Sequence, residues 1–362
     1  MDFDLSDDQL ALRDTARKLL DDLASATQVR AFTETDAAYD ARLWTAMAEQ
    51  GWLAVGLPED AGGLGGGMVE PAMLVEEIGR RAAPVPLAST TVAAGACARG
   101  GYAIDLDRYL AGGWLGCVAW SRQADAVTAE QDGSGWVLTG RADPTPYATV
   151  ADVAVVPAQT EGGASLFAVD LVASGRPARE PAMDVTRPVS WLRFDRAPAT
   201  RLGDAAHVEA VLDRGACLAS FEMLGGARAV LERSVEYAKD RVQFNRPIGS
   251  FQAVKHRCAD MLVDVEGMHS SAYWAAWAIG AADPDASIAA STAKIWCSDA
   301  SQRVMASGLQ VHGGIGFTWE HDLHFFLKRA QLDQMTFGNA SYHRARLGAT
   351  LRARVEAGVS VV

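Results

Sequence analysis

The chain has 362 residues, 49% of them hydrophobic, with 45 acidic against 33 basic side chains and a net charge of −12. That length allows two or three domains with ample core, and the acidic balance argues against a nucleic-acid partner. No apolar run approaches membrane-spanning length, and no signal peptide precedes the first helical pattern. Five scattered cysteines without a CxxC pair read as reduced thiols in a cytoplasmic protein.

Helix begins almost at once. Ser6 and Gln9 form a capping box, and Leu10, Ala11, Leu19 and Leu20 follow at helical spacing. A second helix is predicted near 41–50. The stretch PEDAGGLGGG at 58–67 is glycine-rich, but it neither follows a strand in a βαβ pattern nor carries a P-loop lysine, so it reads as a flexible loop. Helices fill 69–82 and 87–99, separated by Pro84 and Pro86. Residues 1–112 are therefore expected to form a helical domain.

The hydrophobic period changes to two between 113 and 203. Short runs at 115–120, 126–129, 136–140, 153–156, 165–169 and 191–194, bounded by Gly, Asp and Pro, predict a small antiparallel β-domain, with a hairpin turn in DGSGW at 132–136. From 204 to 362 the pattern is helical again, over 207–239, 251–281, 285–311, 319–333 and 340–357. Long helices with short connections make a carboxy-terminal bundle. The fold class is α+β, mostly α.

Two stretches of that bundle carry unusual chemistry. After the apolar face of Leu218, Phe221, Leu224, Ala227 and Leu231, the chain turns at Pro247 and Gly249, and Ser250 offers a cap for the next helix. Arg241 and Phe244 sit at this turn; a guanidinium suits a pyrophosphate and an aromatic ring suits a flat nucleotide face. Later, Gln310 precedes the pair Gly313 and Gly314 at a helix end, where absent side chains let backbone N–H groups approach a phosphate. Alone, such a pair reads as a helix C-cap.

These words, RVQFNRPIGSFQAVKHRCADM and QVHGGIGFTWEHDLHFFLKRA, together with FDLSDDQLALRDTARKLL and GWLAVGLPEDAGGLG, resemble the acyl-CoA dehydrogenases over almost the whole length. The resemblance implies a helical domain, a β-domain and a four-helix bundle, FAD held between subunits, and α,β-dehydrogenation of an acyl-CoA thioester, with an electron-transferring flavoprotein as acceptor. It also implies a glutamate base in one of two places. Here those places hold Phe337 and Gly215, neither of which can take a proton. The segment expected to hydrogen-bond the flavin ring reads Trp120, Ser121, Arg122, Gln123, and a second ring-facing word is replaced by Pro144, Thr145 and Pro146.

By contrast, Arg241, Phe244, Gln252, Gln310, Gly313 and Gly314, which in the resembling family reach a neighbouring subunit's FAD, are all present. The split implies a non-catalytic subunit that contributes half of a shared FAD site to a related chain, as in α2β2 assemblies of this family. Two alternatives stand beside it. One is an active homo-oligomer with a relocated base, Glu222 on the first bundle helix being the candidate, against a plainer role as a buried hydrogen-bond partner. The other is a flavin-free scaffold. His312, His321, His324 and Asp322 have spacing that can ligate a metal, but they read as helix-face residues and no metal is expected. Trp319 and Phe325 read as bundle core.

Overall fold

The computed structural model describes residues 4–359. The first region is built from α1 (Asp7–Leu23), α2 (Ala26–Thr33), α3 (Ala41–Glu49), α4 (Trp52–Val55), α5 (Val69–Arg81), α6 (Leu87–Arg99) and α7 (Leu106–Leu110). The Ser6 hydroxyl accepts from the Gln9 N–H while the Gln9 side chain accepts from the Ser6 N–H, so the capping box forms as its residue types dictate. Helix α2 is started by a second such box, Ser25 with Gln28; the sequence pattern alone did not single it out.

The strands are β1 (Gly116–Val118), β2 (Val127–Asp132), β3 (Gly135–Arg141), β4 (Thr145–Pro146), β5 (Val153–Thr160), β6 (Gly163–Asp170), β7 (Val189–Ser190) and β8 (Arg193–Gly203), with the one-turn helix α8 (Leu171–Ser174) after β6. Asp132 pairs with Gly135 across the expected hairpin turn. Pairing runs β5–β2–β3–β8–β6 and returns from β6 to β5, so the sheet closes on itself. It is antiparallel except where β5 meets β1 and β2, which lie parallel to it. Its interior is a separate core of Val127, Leu138, Val156, Phe167 and Phe194. Closure removes exposed edges, a property no single strand's pattern encodes.

The remaining helices are α9 (Ala205–Asp240), α10 (Gln252–Gly280), α11 (Ala286–His312), α12 (Leu323–Met335) and α13 (Ala340–Glu356), with a tight hairpin of β9 (Val242–Gln243) and β10 (Arg246–Pro247) between α9 and α10. Gly225 shows how closely α9 lies on α5: a Cβ there would collide with the backbone of Glu76. One continuous core runs through the amino-terminal helices and the bundle, from Leu20 and Trp52 to Phe221 and Phe326.

Two local expectations fail. Ser250 does not cap α10; it lies in a 3-10 turn, and the N-cap is Phe251, which has no side-chain bond to the helix. Trp319 is not core: it is 56% exposed, stacked on His324 with the Lys328 ammonium 4.4 Å from its ring centre, because the chain from Gly313 to Asp322 forms short turns before α12 begins. Phe325, on α12 proper, is buried as expected.

Candidate functional site

One end of the bundle carries a cluster of polar and aromatic groups, several of them exposed. Helix α9 ends at Arg241, and the β9–β10 hairpin turns through Phe244 and Asn245, both left-handed at φ 52° and 62°. That turn favours Asn-Gly, since a bulky side chain at positive φ is strained. Phe244 holds it nonetheless, and its ring is 86% exposed. Nearby, the Arg246 guanidinium lies over Phe251, 4.1 Å from the ring centre.

Helix α11 ends at the same place. Tyr237, in the last turn of α9, stacks on His312, the last residue of α11, with ring centres 4.5 Å apart. The chain then leaves α11 through Gly313 at φ 64°, ψ −143°, a conformation essentially reserved for glycine. Gly314 is different: a Cβ there would meet nothing within 4 Å, so the chain's own packing does not require glycine. Arg241, Gln252, Gln310 and Gly314 are all exposed. Among the described residues, the side chains of Arg241, Gln252 and Gln310 find no hydrogen-bond or ionic partner within the chain. The structure thus brings Arg241 and Phe244 to the same end of the bundle as Gln310, Gly313 and Gly314, with Gln252 opening α10 beside them.

The interior site is the opposite: its charged groups are buried and paired with one another. Phe337, left-handed at φ 56° and buried, lays its ring on Gly215 of α9, where a Cβ would collide with the ring at 2.4 Å. The two positions at which a base is expected from the resemblance thus lie against one another. Around them Val85, Val92, Pro146, Tyr147 and Leu218 leave a cavity of about 40 Å³. That holds a few waters, far below the roughly 300 Å³ or more of an ordinary small-molecule pocket. On the β-domain side, Trp120 packs edge-on against Tyr342 of α13 at 5.0 Å, and Thr145–Pro146 is tied into a strand pair with Val189–Ser190. A flavin ring and a thioester do not fit this space.

Glu222, on the same cavity wall, is 3% exposed and gripped by two cations. Arg187 pairs with Glu222 and, at 2.5 Å, with Asp333; Arg329 reaches Glu222 at 2.6 Å, Asp184 at 2.7 Å and the Thr186 hydroxyl at 2.5 Å. Burial works against both guanidinium charges, but the carboxylates outweigh it and hold them firmly protonated. Burial likewise disfavours the Asp184 charge, and Arg329 with Arg187 overcomes it, leaving that carboxyl below its usual range. Three carboxyls face two guanidiniums, so one acid is in excess. Asp333 carries it: burial, then the Glu222 charge, push it up to about 7, and its Oδ2 has no partner.

The loop holding Phe337 is pinned from beneath. The fully buried Lys294 ammonium donates to the carbonyls of Gln334 and Gly338, at 2.9 and 2.7 Å. His343 Nε2 donates to the Phe337 carbonyl at 2.8 Å, which leaves Nδ1 to accept from Ser291. Burial lowers Lys294 to about 7 and His343 to about 3. Sequence reasoning missed Asp184, Arg187, Lys294 and Arg329. The signal for Lys294 was present, a lone lysine inside the alanine-rich apolar run of α11; Asp184 and Arg187 lie in an irregular segment with none.

His321 packs on His312 rather than converging with His324, which stacks on Trp319.

The comparisons with known proteins agree with this architecture. The acyl-CoA dehydrogenase N-terminal domain matches residues 6–112 and the C-terminal domain residues 205–351. The acyl-CoA dehydrogenase IpdE2 of Mycolicibacterium smegmatis is 33% identical over 95% of this chain and 99% of its own length. This chain belongs to the acyl-CoA dehydrogenase family. Acyl-CoA dehydrogenase FadE27 of Mycobacterium tuberculosis is 30% identical over 97% of the chain and 99% of its own. Among solved structures, the Tcur3481-Tcur3483 steroid ACAD superposes with a TM-score of 0.90 at 32% identity, covering 96% of this chain and 99% of the other. The ChsE4-ChsE5 complex of Mycobacterium tuberculosis superposes with a TM-score of 0.89 at 29% identity, covering 97% and 99%. The protein is accordingly an FAD-dependent oxidoreductase of the acyl-CoA dehydrogenase type. Among the described residues, no helix is long and apolar enough to cross a membrane.

Proposed function

We propose that this chain is the base-less subunit of a heteromeric, α2β2 acyl-CoA dehydrogenase and that it contributes half of an FAD site whose flavin ring and catalytic base belong to a related partner chain. The observation that carries this reading is the contrast between the two sites. Arg241, Gln252 and Gln310 stand exposed and unpaired beside a strained, solvent-facing Phe244, while the interior site is filled by Phe337. When bound, FAD supplies the acceptor for the hydride lost from the thioester. This chain's part is to bind and orient: Arg241 neutralises pyrophosphate charge, Phe244 covers a flat face, Gln252 and Gln310 donate hydrogen bonds, and the open backbone at Gly313 and Gly314 admits close approach. Proton abstraction falls to the partner's base.

Similarity to a steroid ACAD and to a complex whose name holds two different chains supports a heteromeric assembly and a bulky, steroid-derived acyl group. An electron-transferring flavoprotein is the acceptor in this reading, and five unpaired cysteines fit a reducing, cytoplasmic setting.

Glu222 as a relocated base fits poorly, since Arg187 and Arg329 hold its carboxylate where it would have to leave both to take a proton. A flavin-free scaffold gives no reason for Phe244 to keep its strain.

The test is flavin stoichiometry. The chain purified alone should be colourless, and co-expressed with its partner it should yield a yellow, active complex with one FAD per pair. A yellow chain that, alone, is bleached by an acyl-CoA would end the proposal.

A further inference from the structure

A second cavity, of about 350 Å³, opens between the loop after α4, helix α6 and the middle of α9. Two cations line it: Arg99, the last residue of α6, exposed at the mouth, and Arg214 of α9, half-buried. Among the described residues neither guanidinium has a hydrogen-bond or ionic partner. The carboxylate beside Arg214, Asp213, is taken: one oxygen accepts from Arg346 and the other from Ser287, each at 2.6 Å. Glu59 also lines the cavity but pairs with neither arginine.

Local geometry holds the two charges together. A Cβ on Gly95 would lie 3.2 Å from Arg99 Nη1, so glycine at 95 lets the Arg99 side chain fold back along α6. Helix α5, thirteen residues long, begins at the same cavity, with Met68 and Pro71 on its wall and no side-chain cap on its N-terminus. Gly66 and Gly67 of the preceding loop line it as well, and their N–H groups donate to no acceptor among the described residues. The two unpaired guanidiniums favour negative charge, whereas the α5 N-terminus adds little, because Pro71 has no N–H and the Glu70 carboxylate already lies beside Gly66 and Gly67. Although part of the residue is exposed, packing of the side chain along α6 desolvates Arg99, and the like charge of Arg214 adds to this; together they pull it down to about 10. Val92 and Leu218 line both this cavity and the interior one, so its floor is apolar.

We infer that this cleft is a binding site for a small anionic ligand, a carboxylate or phosphate held between Arg99 and Arg214 with any apolar stem directed at Val92 and Leu218. The inference is independent of the shared FAD site, which lies at the Arg241 end of α9.

Calorimetric titration of the full chain with succinate, with inorganic phosphate and with coenzyme A tests it, sodium chloride being the control for non-specific anions. One equivalent of saturable binding is expected, weakened about tenfold or more by Arg214→Gln and by Arg99→Gln. Binding of succinate alone assigns an organic carboxylate; binding of phosphate and coenzyme A assigns a phosphate group. Without ligand, each variant should melt at the same or a higher temperature than the parent, because it removes one of two repelling charges. Absence of saturable binding by all three probes, or unchanged affinity in both variants, overturns the inference. So does a lowered melting temperature in both, which would make the arginines structural.

Discussion

The ring of Phe337 lies against the bare backbone of Gly215, and each residue explains the other. A side chain at 215 has no room while Phe337 is present, and Phe337 at φ 56° is held in a conformation that favours glycine. Placing a carboxylate at one position therefore requires rebuilding the second. Gly215→Glu alone places a carboxylate in a filled apolar space and should destabilise the chain by about 3 kcal/mol or more. Urea denaturation of the purified chain measures this; a midpoint equal to the parent's would show that the space is not filled.

Arg241→Ala should leave the chain's own stability within about 0.5 kcal/mol, since the side chain is exposed and unpaired. In the complex with the partner subunit, it should weaken FAD retention about tenfold or more through the lost charge-assisted bond. Flavin absorbance per complex after gel filtration is the readout, and unchanged flavin content would favour the scaffold reading.

Phe244→Gly should separate stability from function. It relieves the left-handed strain at the hairpin tip and should raise stability by about 1 kcal/mol. The same change removes the exposed ring and should lower flavin content in the complex. Thermal melting and flavin absorbance, taken on the same preparation, should move in opposite directions.

Glu222→Gln leaves Asp184 and Asp333 to balance Arg187 and Arg329 but removes the carboxylate both guanidiniums share, and should cost about 1–3 kcal/mol of stability. If Glu222 were a relocated base, the chain would instead keep its stability and FAD while turnover vanished. Denaturation and steady-state rates of the complex distinguish the two.

Stability should depend on pH through the two groups beneath the Phe337 loop, with Asp333 acting in the opposite sense between about 3.8 and 7, where the folded chain binds the extra proton and stability falls as pH rises. The folded pKa of Lys294 lies below its unfolded value, so between about 7 and 10.5 the unfolded chain binds the extra proton and stability rises with pH. His343 behaves alike in a lower window: between about 3 and 6.5 the unfolded chain again binds more protons, so stability falls as pH falls. Denaturation curves of Lys294→Met and His343→Gln, subtracted from the parent's, should isolate each window. A flat difference for Lys294→Met would mean the amine stays charged in the fold.

Periodicity, caps and turn residues carried most of the architecture in the sequence: the Ser6 box, the Gly133 hairpin and the helical stretches of the bundle are local, so a linear pattern suffices to read them. The exposed half of the candidate site was legible for the same reason. Arg241 with Phe244, and Gln310 with Gly313 and Gly314, are contiguous words at helix ends, although it takes the packing of α9 on α11, with Tyr237 stacked on His312, to bring the two words together. That Phe337 and Gly215 stand where a base is expected could also be read position by position, but not that the one side chain covers the other. What the tertiary structure alone decided is what fills the interior. Asp184, Arg187, Glu222, Arg329 and Asp333 come from an irregular segment and two helices and meet because burial leaves each charge no other partner, while Arg99 and Arg214 face one cleft across 115 residues of chain. Charge pairing at a distance depends on which surfaces packing brings into contact, and a one-dimensional pattern does not record that.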